Sequence, residues 1–328
     1  MFVFIAPGQG SQTPGMLAPW LRDPEHAARV RDWSQAADVD LAHLGTRASA
    51  AEIARTENTQ PLLVAHALLA HTALGGAGAG HPVAAGHSVG ELAAAAVAGA
   101  LDPADAIRLA AVRGRAMAAA CAEASTGLTA VIGGEKDQVL DRLAELGLSA
   151  ATFNGPGQIV AGGPVCDLRR LATAPPPGAT VKALPVAGAF HTAHMESARR
   201  TVADAFAATA FRTPHGALIS NADGALVTCA DEIRDRLVGQ VTRPVRWDLC
   251  LETLGGLAPA LVVSLPPTRT LTALLRRRLP DLTVLPANTP RDLATLRNRL
   301  DSVPPAPVRP LPVHPVPVRM EERARASA

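Results

Sequence analysis

The chain has 328 residues and contains no tyrosine, six phenylalanines and three tryptophans. So few aromatic rings offer no stacking platform for nucleic-acid bases. Basic and acidic residues nearly balance, 31 against 29, for a net charge of +2. That leaves no electrostatic footprint for a polyanion, and no nucleic-acid partner is expected. The four cysteines, Cys121, Cys166, Cys229 and Cys250, lie far apart and form no C-x-x-C pair. Neither a zinc site nor a disulfide framework is expected from them. No run of 18 apolar residues escapes charges and helix breakers, so no membrane span is expected. The opening MFVFIAPGQG has no basic segment ahead of its apolar residues and meets Pro7 and Gly8 early. It reads as a strand and a turn, not as an export signal. A soluble cytoplasmic protein with reduced thiols is the resulting expectation.

What is present is apolar: 48% of the residues are hydrophobic and 18% charged, ample for a large buried core. Residues 2–6 and 81–86 read as short buried strands. Residues 46–56 and 61–74 read as helices, the second with Pro61 at its start. GGAGAG at 75–80 does not fit G-x-G-x-x-G and precedes a strand, which argues against a dinucleotide site. Asp102 followed by Pro103 opens a helix over 102–122. From 125 the pattern changes to strand 128–133, helix 136–146, two strands around NGPG, a helix over 165–173 and a strand in TVKALPVAGAF. This βαββαβ order is that of a ferredoxin-like unit. Helices are then expected at 193–210, 230–240 and 270–279, with a buried strand at 260–265. From about 301 a proline-rich segment reads as an extended, disordered tail.

The chemistry concentrates in three places. Gly86-His87-Ser88-Val89-Gly90 fits G-x-S-x-G between a strand and a helix. In that context the glycines allow a sharp corner that exposes the serine hydroxyl and aims the following N–H groups at its target. The alternative is a plain turn. A serine needs a base, and His191 sits just after a strand and before a helix. His191 and His194 have no carboxylate or cysteine grouped with them, so a base is favoured over a metal site, and no metal is expected. Arg113 falls on the stripe of Ala106, Ala110 and Met117 in the 102–122 helix. A semi-buried guanidinium needs an anion. A structural ion pair and a clamp for a substrate carboxylate satisfy that need equally well.

PGQGSQTPGM (7–16), NTQPLL (58–63), GHSVGELAAA, RGRAM (113–117), FNGPGQIVAGG, VAGAFHTAHM, SNADG (220–224) and GQVTRPVRWDLCLETL (239–254) follow one another in a specific order. Together they resemble the malonyl-CoA:acyl carrier protein transacylase family, over roughly residues 1–300. The discrete actinobacterial enzymes and the acyltransferase domains of polyketide synthases are its members. The resemblance implies an α/β fold, with an α/β-hydrolase-like large domain (1–124 and 193–300) and an inserted ferredoxin-like subdomain (125–192). It implies transfer of malonyl from coenzyme A to the phosphopantetheine thiol of a holo-acyl carrier protein, for fatty acid or polyketide synthesis. No bound cofactor is implied, and a monomer is.

By the same resemblance Ser88 is the nucleophile and His191 its base, oriented by the backbone carbonyl of Gln240 in place of an acid. Gln9 and the Val89 N–H form the oxyanion hole, and Arg113 grips the malonyl carboxylate. Gln60, His87 and Asn154 line the pocket. Phe190 stands where the methylmalonyl-selective version carries a small serine. The chain departs from the family pattern at Ala6, at Leu92 and in SLPPTRTL (264–271), none of which removes a catalytic group. An alternative on the same scaffold is a hydrolase that clears wrong acyl groups from a carrier protein. Arg113 argues against it, because an editor of monoacids gains nothing from a carboxylate clamp.

Overall fold

The computed structural model describes residues 1–75 and 81–302. Most of the proline-rich tail, from 303 on, and the GGAGAG loop from 76 to 80 lie outside the described residues.

Two sheets organise the chain. Strands β1 (Phe2–Ala6), β2 (Val83–Gly86), β7 (Ala217–Ile219), β8 (Leu226–Val227), β10 (Leu261–Ser264) and β11 (Val284–Pro286) form the larger, in the order β11-β10-β1-β2-β7-β8. All neighbours in it run parallel except β8, which is antiparallel to β7. β2 and β10 are buried throughout, as strands of a sheet covered on both faces must be. That explains their uninterrupted apolar sequences, VAAG and LVVS.

The second sheet contains β3 (Thr126–Gly133), β4 (Ser149–Phe153), β5 (Gln158–Pro164), β6 (Ala179–Ala183) and β9 (Val245–Arg246), in the order β6-β3-β5-β4-β9. The first four follow the expected βαββαβ plan, with helices Lys136–Glu145 and Val165–Thr173 between them. β9 was not foreseen. It arrives from far along the chain and pairs parallel with β4, through Thr152–Val245 and Phe153–Arg246.

Several boundaries differ from the sequence reading. Pro61 does not start a helix; it is the sixth residue of helix Thr56–Ala73. A proline there removes one N–H, but the first turn is already anchored by Thr59 N–H on the Arg55 carbonyl. Close packing against Gly114 of helix Pro103–Cys121 holds that turn: a Cβ on Gly114 would lie 2.9 Å from the Thr56 carbonyl oxygen. The helix expected over 46–56 is two shorter ones, Leu41–Thr46 and Ala50–Ala54. The strand expected through residue 190 ends at Ala183, because the chain leaves the sheet to bring Gly188 against Cys121. The helix expected from 193 begins as a 3-10 turn, Ala193–Met195, and continues as Glu196–Ala207. The last helix, Asp292–Ser302, includes residues 301 and 302, which the sequence reading gives to the tail.

The corner after β2 is fixed by backbone contact. A Cβ on Gly86 would lie 2.0 Å from the Gly90 carbonyl oxygen, and one on Gly90 would lie 2.4 Å from that of Ala6. Gly86→Ala should therefore cost more than about 3 kcal/mol, because neither backbone can move away. Gly256→Ala, on an exposed helical position with nothing within 4 Å, should add about 0.5–1 kcal/mol. Thermal melts of the two variants check this contrast; a Gly86→Ala protein as stable as wild type would refute the steric account.

Candidate active site

Ser88 sits between β2 and helix Gly90–Ala98 with φ 54°, and His191 sits in the loop after β6 with φ 60°. Non-glycine residues rarely adopt this left-handed conformation, and a surrounding structure must enforce it. Only Asp38 and Ala258 share it among the described residues. Around Ser88 the enforcement comes from the glycine contacts above and from Ser88 N–H donating to Asn221 Oδ1 at 2.9 Å. Around His191 it comes from Ala189 N–H donating to Thr126 Oγ1 (3.1 Å) and Thr192 Oγ1 donating to the Ala189 carbonyl (2.7 Å).

The two strained residues meet. Ser88 Oγ lies 2.7 Å from His191 Nε2. His191 Nδ1 lies 2.8 Å from the backbone carbonyl oxygen of Gln240. A carbonyl only accepts, so Nδ1 carries the proton and Nε2 is left to accept one from the serine. Burial, and next the positive Arg113, lower the His191 pKa to about 3. The ring is therefore neutral and able to act as a base at physiological pH.

Arg113 is buried, at 2% exposure, on the helix Pro103–Cys121. Its Nη1 donates to Gln60 Oε1 (2.7 Å); its Nη2 donates to Gln240 Oε1 (2.9 Å) and reaches Ser88 Oγ at 3.5 Å. These acceptors are all neutral. Of the two readings the sequence left open, no structural ion pair is seen: among the described residues no carboxylate bonds to this guanidinium. Burial lowers the Arg113 pKa to about 10, which still leaves it charged. A buried cation with neutral partners and unused N–H donors has the chemistry to receive an anion.

The remaining predicted residues divide. Gln60 meets Arg113, as above. His87 Nε2 pairs with Asn154 Oδ1 at 2.9 Å, and its ring packs edge-on against Trp247, centroids 5.6 Å apart. Asn154 thus ties the small sheet to the corner. Among the described residues the Val89 N–H has no protein partner, and neither does the Gln9 side chain. Gln9 belongs to the loop whose Gly8 packs on the His87 backbone, where a Cβ would lie 2.6 Å from the carbonyl oxygen. Phe190 is placed differently from the rest. It is 5% exposed and packs in the main hydrophobic core.

Two buried residues had no role in the sequence reading. Asn221, in SNADG, accepts from Ser88 N–H and donates through Nδ2 to the Gly86 carbonyl at 2.7 Å. Glu91, in GHSVGEL, accepts from Asn221 N–H (2.7 Å) and from Gln240 Nε2 (2.5 Å). Burial raises its carboxyl pKa to about 7, against hydrogen bonds that favour the ionised form. Glu91 lies inside the quoted GHSVGEL motif, but nothing in that local stretch indicates which side chain it reaches.

Buried neutral histidines make stability pH-dependent. His66 and His191 are lowered to about 3 and His71 to about 4, chiefly by burial. Unfolded histidine binds protons below about 6.5, so in that range the unfolded state binds more protons than the native one. Stability is therefore full above pH 6.5 and falls toward pH 3–4, by at most about 1.4 kcal/mol per histidine per pH unit. Glu91, with its raised pKa, acts in the opposite sense between about 4.5 and 7, but it is one group against three. Thermal melts should show Tm falling from pH 7 to pH 5; a constant Tm would contradict the neutral assignment.

Known proteins are similar to this chain over most of its length. The acyl transferase domain family model matches residues 3–296. The malonyl CoA-acyl carrier protein transacylase of Mycobacterium tuberculosis (strain H37Rv) is 49% identical over 301 residues, covering 91% of this chain and all of the relative. That of Escherichia coli K12 is 33% identical, covering 89% of this chain and 97% of the relative. Among solved structures, MCAT from Mycobacterium tuberculosis superimposes with a TM-score of 0.89 at 48% identity, over 91% of this chain and 100% of its own. A malonyl-transacylase solved in complex with its type II PKS acyl-carrier protein superimposes with a TM-score of 0.84 at 29% identity, over 91% of this chain and 99% of its own.

Proposed function

The chain belongs to the acyl transferase domain family, and on that premise we propose that it carries malonyl from coenzyme A to the pantetheine thiol of an acyl carrier protein by way of Ser88. The observation that carries this reading is the shared position of three groups. Ser88 Oγ lies 2.7 Å from a neutral imidazole and 3.5 Å from a buried guanidinium that has no carboxylate of its own.

The chemistry follows from that arrangement. Ser88 Oγ attacks the thioester carbonyl while His191 Nε2 takes its proton. The tetrahedral oxyanion is met by the free Val89 N–H at the start of a helix and by Gln9. Collapse expels the coenzyme A thiolate, which recovers the proton from His191, and malonyl-Ser88 remains. The carrier thiol then enters, gives its proton to His191, attacks the ester carbonyl and leaves as the malonyl thioester. Ser88 regains its proton. The Gln240 carbonyl keeps Nδ1–H in place through both halves.

Arg113 supplies both selection and timing. A malonyl carboxylate pairs with the guanidinium and offsets the cost of its burial, which an acetyl group does not. The same pairing cancels a positive charge that depresses the basicity of His191. The base is thus strongest when the correct diacid is bound. Phe190 lies in the core beside His191, where its bulk would limit movement of the histidine loop and so help to exclude a branched extender.

Intact-mass analysis tests the reading. Protein mixed with malonyl-CoA should gain one malonyl group, and added holo-carrier protein should remove it and gain the same mass. Loss of the acyl group to water with the carrier unloaded would overturn it. Which carrier is loaded best, among those serving fatty acid or polyketide synthesis, follows from running the second step with each.

A further inference from the structure

Glu91 is the buried acid that the proposed chemistry does not use. It is 1% exposed, in the first turn of helix Gly90–Ala98, and makes no direct ion pair among the described residues. An ionised carboxylate only accepts hydrogen bonds. Both of its oxygens face donors, the Asn221 N–H and the Gln240 side-chain NH2.

Above its raised pKa of about 7, Glu91 is ionised and the Gln240 amide stands between two opposite charges, so the loading assays belong at about pH 8 or above, roughly one unit over that value. The amide NH2 faces Glu91, and also the Ser88 carbonyl at 3.0 Å and Asn221 Oδ1 at 3.2 Å. Its Oε1 faces Arg113 Nη2 at 2.9 Å. The reverse orientation would set carbonyl against carboxylate and NH2 against guanidinium. Three acceptors at one end thus dictate what the other end presents, and of these only Glu91 can carry charge.

We propose that Glu91 is a positioning residue for diacid selection, fixing the Gln240 amide and through it holding the Arg113 guanidinium ready for the substrate carboxylate. The relay gives the buried cation a remote counter-charge without a direct one. A carboxylate touching Arg113 would occupy the clamp; one placed beyond an amide leaves the remaining guanidinium donors for the substrate. The inference rests on the reading that Arg113 grips the malonyl carboxylate.

Glu91 also touches the nucleophile corner, through Asn221 and its bond from Ser88 N–H. A merely structural role there would impair every acyl donor alike. The deciding readout is therefore the ratio of Ser88 acylation by malonyl-CoA to that by acetyl-CoA. In Glu91→Gln the charged acceptor of the Gln240 NH2 is lost. The amide is then held only by the neutral Ser88 and Asn221 oxygens, and its grip on Arg113 loosens. Malonyl kcat/KM should fall about 30- to 100-fold, mostly through KM, the effect of a lost buried bond to a charged group. Acetyl loading should change by less than about 3-fold, since it makes no use of the clamp.

Gln240→Met keeps the carbonyl that holds His191 and removes the relay. It should lose malonyl loading at least as far as Glu91→Gln does, and Glu91→Gln combined with it should be no worse than Gln240→Met alone. An equal fall for both acyl donors in Glu91→Gln, unchanged malonyl loading, or losses that multiply in the double variant would each overturn the proposal. If Glu91→Gln fails to fold, Glu91→Met carries the test, and equal loss of both donors there overturns it. Wild-type protein that takes up no malonyl would instead overturn the functional reading.

Discussion

Ser88→Ala protein mixed with malonyl-CoA should keep its unmodified mass and load no carrier protein. Removing the hydroxyl removes the only atom that bonds to the acyl group, so transfer should fall by at least about 10⁴-fold. The neighbouring base gives a second handle. His191→Asn is the better probe there than alanine, because asparagine tolerates the left-handed backbone that φ 60° requires. It should keep the Ser88 hydroxyl and lose about 10³- to 10⁴-fold in acylation rate. Both variants should melt within a few degrees of wild type at pH 7. A malonyl adduct on Ser88→Ala would place the nucleophile elsewhere and sink the assignment.

Arg113→Ala should separate diacid from monoacid. Malonyl kcat/KM should fall about 10²- to 10³-fold, the effect of losing a buried, charge-assisted grip on a carboxylate. Acetyl loading should hold or rise, because the guanidinium depresses the basicity of His191 and its removal restores a stronger base. Gln60 Oε1 and Gln240 Oε1 lose their donor in this variant, so some loss of stability accompanies the change. The ratio of the two acyl donors is insensitive to that loss. A variant that loads both donors at one-hundredth of the wild-type rate would show that Arg113 builds the site without reading the substrate.

The strand–corner–helix around Ser88 was legible because its constraint is local. Gly86 is needed by its contact with the Gly90 carbonyl four residues on, inside the short corner itself, whereas Gly90 is needed by the distant Ala6 carbonyl. Helix Pro103–Cys121 was legible for the same reason, since Asp102 caps the Ala104 N–H two residues on. Helix Pro24–Ala37, helix Trp247–Leu257 and strands β7, β9 and β11 were not read from the sequence. β9 is only two residues long and exists because β4 offers it an edge from more than ninety residues away. No periodicity can appear in two residues. Pro61 misled for a related reason, as helix packing carried the element through a residue that locally signals a start.

The sequence by itself determined the chemistry available: a serine at a glycine corner, a histidine after a strand, an arginine on an apolar stripe. Residue types and short spacings fix these, because they are properties of a few bonded neighbours. Only the tertiary structure decided whether Arg113 would be neutralised. Its acceptors come from positions 53 and 127 residues away, Gln60 and Gln240, and both are neutral. It likewise decided that the acid at Glu91 would face the Gln240 amide and not the His191 ring. Such pairings depend on how two sheets and the helices over them stack, and that stacking is set by burial of the whole core, which no short stretch of sequence contains.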